Sequence, residues 1–108
     1  MIGTNVKTVT TTYTVKPDDS LILCDATSAA FTVTLPPAKY FGTKGDTLAF
    51  TIAKLDSSGN AITVAGAGSD NIVGSSTFAG IVDQFDLVMV QSDGVSQWYV
   101  LSASPGAG

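Results

Sequence analysis

The chain has 108 residues, of which 44% are hydrophobic and only 13% charged, and its net charge is −4. All nine acidic residues are aspartate and all five basic residues are lysine; histidine, glutamate and arginine do not occur. That composition excludes the usual neutral-pH proton shuttle, the bidentate guanidinium clamp and imidazole or paired-thiolate metal sites, and it points to a protein that acts through a surface.

The charged fraction is about half the roughly 25% usual in soluble domains, so part of the apolar surface is expected to be covered by other chains. Lys7, Lys16, Lys39, Lys44 and Lys54 are scattered. Without a basic patch, neither nucleic acid nor an anionic membrane surface is an expected partner. The start, Met1-Ile2-Gly3-Thr4-Asn5, lacks the charged and apolar regions of a secretory signal, so synthesis and release in a cytoplasm are expected.

Residues 1–12 read as an N-terminal arm or a first strand, because Thr8-Val9-Thr10-Thr11-Thr12 is β-branched and carries no turn signal. From Tyr13 onwards the hydrophobic period is two. Strands are predicted at Tyr13–Val15, Leu21–Asp25, Phe31–Leu35, Leu48–Lys54, Ala61–Ala65, Phe85–Gln91 and Gln97–Ser102. A further short strand fits near Ile72 or at Thr77–Ile81. Pro17-Asp18-Asp19-Ser20 reads as a turn. Asp56-Ser57-Ser58-Gly59-Asn60 reads as a hairpin loop, and Asp93-Gly94 is a strong hairpin cue. One helical turn is conceivable at Pro36-Pro37-Ala38-Lys39-Tyr40. The tail Ser104-Pro105-Gly106-Ala107-Gly108 reads as disordered. The pattern predicts an all-β domain over residues 13–102, a small antiparallel sandwich or barrel of about eight short strands.

Two late segments differ from the rest. Phe85-Asp86-Leu87-Val88-Met89-Val90 and Trp98-Tyr99-Val100-Leu101 are apolar on both faces, whereas a sandwich strand needs only one apolar face. A second cover is therefore expected, with Phe85, Leu87, Met89, Trp98 and Tyr99 at a subunit interface.

The chain offers little that could react. Cys24 lies in the apolar run Leu21-Ile22-Leu23-Cys24 and reads as a small buried hydrophobe. Asp18-Asp19 reads as a turn pair. The oxygens of Asp56–Asn60 and of Asp70-Asn71 lack EF-hand spacing, so no metal is expected. Gly66-Ala67-Gly68 has no following helix to make a nucleotide site. A glycan-cleaving pair of aspartates is the one enzymatic arrangement the composition leaves open. Tyr13, Tyr40, Trp98 and Tyr99 are aromatic and suit either strand packing or sugar stacking.

Several pieces then occur in a fixed order. They are Tyr13-Thr14-Val15, Leu21-Ile22-Leu23-Cys24-Asp25-Ala26-Thr27, Phe31-Thr32-Val33-Thr34-Leu35-Pro36-Pro37-Ala38 and Lys54–Asn60 with Ile62-Thr63-Val64. Val88-Met89-Val90-Gln91-Ser92-Asp93-Gly94 and Gln97-Trp98-Tyr99-Val100 close the series. This order resembles a β-domain recurrent in virion proteins of tailed phages, among them tail fibres, tailspikes, head fibres and capsid decoration proteins. The resemblance implies a small trimeric β-fold without catalytic residues or cofactors. Methionine stands just before the domain and the chain stops just after it, with no shaft. The expectation is therefore a capsid decoration, or cement, protein: a homotrimer on the outer surface of the virion, bound to the major capsid protein. Ile2, Val6, Val9, Thr10, Thr11 and Thr12 would contact the capsid. The alternative is a tail-fibre or tailspike module that binds a host-surface glycan.

Overall fold

The computed structural model describes residues 5–39 and 49–103. They form ten strands and no helix: β1 (Asn5–Val9), β2 (Tyr13–Thr14), β3 (Asp19–Cys24), β4 (Phe31–Thr34), β5 (Ala49–Lys54), β6 (Ile62–Ala65), β7 (Asn71–Ile72), β8 (Thr77–Ile81), β9 (Leu87–Ser92) and β10 (Gln97–Ala103). The short strand expected near Ile72 or at Thr77–Ile81 is present at both places, as β7 and β8. Ile2, Tyr40, Leu48 and Ser104–Gly108 lie outside the described residues. Lys39 ends a turn that begins at Ala38.

The strands form a six-stranded sheet in the order β1-β3-β5-β9-β10-β7 and a four-stranded sheet in the order β2-β4-β6-β8. The antiparallel expectation is corrected here. β1, β3 and β5 pair in parallel, and so do β2, β4 and β6. Antiparallel pairs are confined to β5/β9, β9/β10 and β6/β8. The cause lies in the route of the chain. After each of the first six strands it crosses to the opposite sheet, so it re-enters the first sheet running in its original direction. The result is a short winding of the β-solenoid kind, closed by the antiparallel strands β8, β9 and β10. Alternation of apolar and polar residues serves parallel and antiparallel neighbours equally, because it records only which face is buried.

The crossing corrects a second expectation. Asp56–Asn60 is not a hairpin loop, because β5 and β6 belong to different sheets. The predicted Asp93-Gly94 hairpin does form between β9 and β10. Gly94 takes φ 81°, and the Asp93 carboxylate accepts the N–H groups of Val95 (2.7 Å), Ser96 (3.0 Å) and Gln97 (3.1 Å). These bonds, led by that from Val95, hold the Asp93 carboxyl below its usual range.

The core lies between the sheets. Ile22, Ile52 and Val88 make one inward row across β3, β5 and β9, and Phe31, Ile62 and Ile81 face them from β4, β6 and β8. Phe50 and Trp98 pack with ring centroids 5.8 Å apart at a tilt of 37°. The outer face of the four-stranded sheet is a threonine surface, with Thr32 and Thr63 as cross-strand partners and Thr14, Thr34, Ala65 and Thr77 in the next row.

One turn carries evident strain. Val73 (φ 47°) and Gly74 (φ 85°) are the central residues of a tight turn closed by Ile72 and Ser75. Positive φ at both central positions suits Asn-Gly, and a β-branched residue there is an outlier. Val73 is also 58% exposed, so it gains little from packing. Val73→Asn is expected to stabilise the fold by about 1 kcal/mol. A raised midpoint in urea with an unchanged slope checks this.

Candidate interaction surface

Residues on β5 and β9, and on β3 from Leu21 onwards, alternate between the core and the opposite face. The register fixes what that outer face contains. Val6, Leu21, Thr51 and Met89 form one row across four strands, and Thr8, Leu23, Ala53 and Leu87 form the next. Ala49, Gln91 and Tyr99 form a third. None of these residues is charged, although the chain carries nine aspartates and five lysines. Of the large apolar members, Val6 is 62% exposed, Met89 39% and Tyr99 48%, while Leu21, Leu23 and Leu87 are half-buried; Leu101 at the β10 bulge is 54% exposed. Parallel strands such as β1, β3 and β5 are normally covered on both faces. Here the core covers one face only.

The residues expected at the subunit interface divide. Leu87, Met89 and Tyr99 lie on this outer face. Trp98 does not. It is fully buried in the protomer, because its register with Ser92 turns it inward against Phe50. Phe85 was read as part of a strand, but it occupies the turn before β9, at φ 68° and 67% exposed. Within residues 1–12, read as an arm or first strand, Asn5–Val9 form β1. β1 pairs with β3 along its length, and Asp25 N–H donates to the Val9 carbonyl at 2.9 Å. Val9 packs on the core, Val6 faces outward, and Thr10, Thr11 and Thr12 are exposed where the chain crosses to β2.

The sequence reading missed Leu21, Leu23, Thr51 and Ala53 on the outer face. The signal was present in Leu21-Ile22-Leu23-Cys24, which is as apolar on both faces as β9 and β10.

Several polar side chains are tied up inside the fold. Lys54 points inward at the end of β5 and is fully buried. Its ammonium donates to Asp56 Oδ2 at 2.6 Å and to the carbonyls of Ser58 (2.9 Å) and Asp56 (3.1 Å). The Asp56 carboxylate also accepts the Ala26 N–H at 2.6 Å, the Ser58 N–H at 3.1 Å and the Ser58 hydroxyl. Burial pushes the Asp56 carboxyl up, but the bonds from Lys54, Ser58 and Ala26 outweigh it and hold the group well below the usual range. Burial, and secondarily the Asp56 charge, push the Cys24 thiol up to about 12, which keeps it an unreactive thiol.

Most of the other aspartates are committed locally. Asp19 accepts the Tyr13 hydroxyl at 2.6 Å and the Lys16 N–H at 2.9 Å. Burial, then this bond, raise the Tyr13 phenol to about 12. Asp70 accepts the Ala38 N–H at 2.8 Å, and Asp86 accepts those of Val82 (3.3 Å) and Asp83 (2.9 Å). The preference for aspartate over glutamate has a physical reason, since the shorter side chain reaches nearby backbone amides in turns. Among the described residues, no group of three or more histidine, cysteine, aspartate or glutamate side chains is placed to hold a metal ion.

The surface with the most evident use is thus the uncharged outer face of the six-stranded sheet. In comparisons with known proteins, no family matches the chain and no curated protein matches it.

Proposed function

We propose that this protein is a self-associating structural module: a capsid decoration protein that acts as a homotrimer on the outer surface of a phage virion. The observation that carries the proposal is the outer face of the six-stranded sheet, apolar and free of charge in an otherwise acidic chain. Such a face costs little to desolvate and gains roughly 25 cal/mol per Å² when covered. The three-fold stoichiometry and the capsid as partner come from the resemblance to phage virion domains.

The mechanism is linkage. A protein that binds the assembled shell and not its separated subunits raises the free energy of disassembly by mass action. Contact with the major capsid protein is assigned to Val6, Val9 and Thr10–Thr12, at the exposed edge of the sheet. Because β1 is an integral strand, point changes test this better than deletion of residues 1–12. Leu23→Asp, at the centre of the outer face, is expected to shift the protein from trimer to monomer in sedimentation analysis and to abolish binding to capsids. An unchanged trimer would refute the assigned interface.

One observation favours a second reading, a fibre or spike module that binds a host-surface glycan. Tyr99 stands half-exposed beside Gln91, so an aromatic ring and an amide lie together as in sugar-stacking sites. Glycan binding that disappears in Tyr99→Ala, without binding to empty capsids, would select this reading.

A further inference from the structure

Phe85 combines two features that a folded chain rarely tolerates together. It adopts the left-handed conformation, at φ 68°, and it displays most of its ring to solvent. Large residues seldom accept that conformation, and where they do the surroundings impose it. Here β5 imposes it. Phe85 N–H donates to the Lys54 carbonyl at 2.8 Å, and Lys54 N–H donates to the Asp86 carbonyl at 2.9 Å. Gln84 Nε2 adds a bond of 3.0 Å to the Leu55 carbonyl. The backbone of the turn is therefore held at both ends while the ring projects.

At the other end of β5 lies a groove of about 220 Å³, lined by Ser20, Ala49, Phe50, Thr51 and Met89. A cavity of about 150 Å³ suffices for benzene. The lining contains no charge, and the Met89 thioether is the kind of adaptable group that favours an aromatic ring. Thr51 and Met89 also belong to the uncharged outer face, so the groove is continuous with the surface proposed above for self-association. From Phe50 to Lys54 the strand spans about 13 Å, too far for the ring to reach the groove of its own protomer.

We infer that the Phe85 ring of one copy inserts into the Ala49–Thr51–Met89 groove of the next, making a head-to-tail contact. This inference rests on the self-association proposed above and specifies its geometry. Because ring and groove are different patches, the contact is heterologous, and repetition around an axis closes a ring of copies. Six residues of strand and five strand spacings give the sheet face about 20 by 24 Å, on the order of 500 Å² per copy. A head-to-tail contact divides that face between two neighbours, so Phe85 and the groove act as the central anchor of a small interface.

The test compares the wild type, Phe85→Gly and Thr51→Arg by sedimentation and thermal melting. Glycine accepts the left-handed conformation, so Phe85→Gly is expected to melt no lower than the wild type while its association weakens at least tenfold. Thr51→Arg, which places a long cation in the groove, is expected to be monomeric as well. Mixing the two variants restores one intact ring and one intact groove per pair and should give heterodimers that do not grow further. A Phe85→Gly protein that associates like the wild type overturns the inference but leaves self-association standing. A wild type that is monomeric overturns the self-association itself. A monomeric wild type whose capsid binding is lost in Phe85→Gly moves the ring into a capsid protein, which also overturns the inference.

Discussion

Asp56→Ala is expected to cost about 3–5 kcal/mol, a large share of the 5–15 kcal/mol typical of a whole domain. Removing this carboxylate leaves the Lys54 ammonium buried without its counter-charge, and it strips a partner from the amides of Ala26 and Ser58. Lys54 cannot reach water by a small adjustment, because it is fully enclosed between the sheets. Breaking a buried pair from one side is far more costly than replacing both partners with apolar groups. Removing both charges, by combining Lys54→Met with Asp56→Ala, is therefore expected to cost less than Asp56→Ala alone. Denaturant titration of the two variants checks the order.

The same carboxylate predicts an acid limit. Its folded pKa lies below the ordinary value of about 3.9, so it contributes stability that is complete above about pH 5 and is lost as pH falls further. Asp56→Asn should show an acid slope shallower by up to one proton, about 1.4 kcal/mol per pH unit. On the alkaline side the sign reverses. Tyr13 and Cys24, each raised to about 12, contribute stability that is whole below their unfolded values of about 10 and 8.5 and is lost above them.

Trp98→Ala is the second substitution expected to be severe, also about 3–5 kcal/mol, because it empties the largest fully buried side-chain position. Trp98→Phe is expected to lie within about 1.5 kcal/mol of the wild type. The indole N–H is buried and finds no hydrogen-bond partner among the described residues. An unmade bond of that kind costs about 1–3 kcal/mol, and its removal offsets part of the lost packing. The comparison separates a packing role from an interface role. A tryptophan at a subunit contact would lower association in both variants, whereas a core tryptophan lowers the melting temperature mainly in the alanine one. Far-UV circular dichroism with sedimentation reads both.

Inward and outward positions were legible from the sequence wherever alternation was strict. Phe31, Val33, Phe50, Ile52, Ile62 and Val64 all face the core as their spacing implies. Apart from the β9–β10 hairpin, which strands are neighbours was not legible. Residues 56–60 contain the serines, glycine and asparagine of a reverse turn, yet the Asp56 carboxylate and Asn60 amide reach back to Ala26, 30 and 34 positions away. Those bonds carry the chain across to the other sheet, and no local pattern encodes them. Trp98 was misplaced for a related reason. In a segment apolar on both faces, hydrophobicity cannot say which side is inside, and only pairing with Ser92 decides it. The interaction surface was half legible: the excess of apolar residues announced it, but its extension over β3 and β5 depended on their parallel register.

The contrast between the two outer faces has a consequence for how far assembly can proceed. Copies that met through the apolar face, as proposed, would turn the threonine-rich face outwards, and its hydroxyls are well satisfied by water. A coat built that way would stop at a single molecular layer, so a shell dressed in it would stay dispersed and not clump with its neighbours.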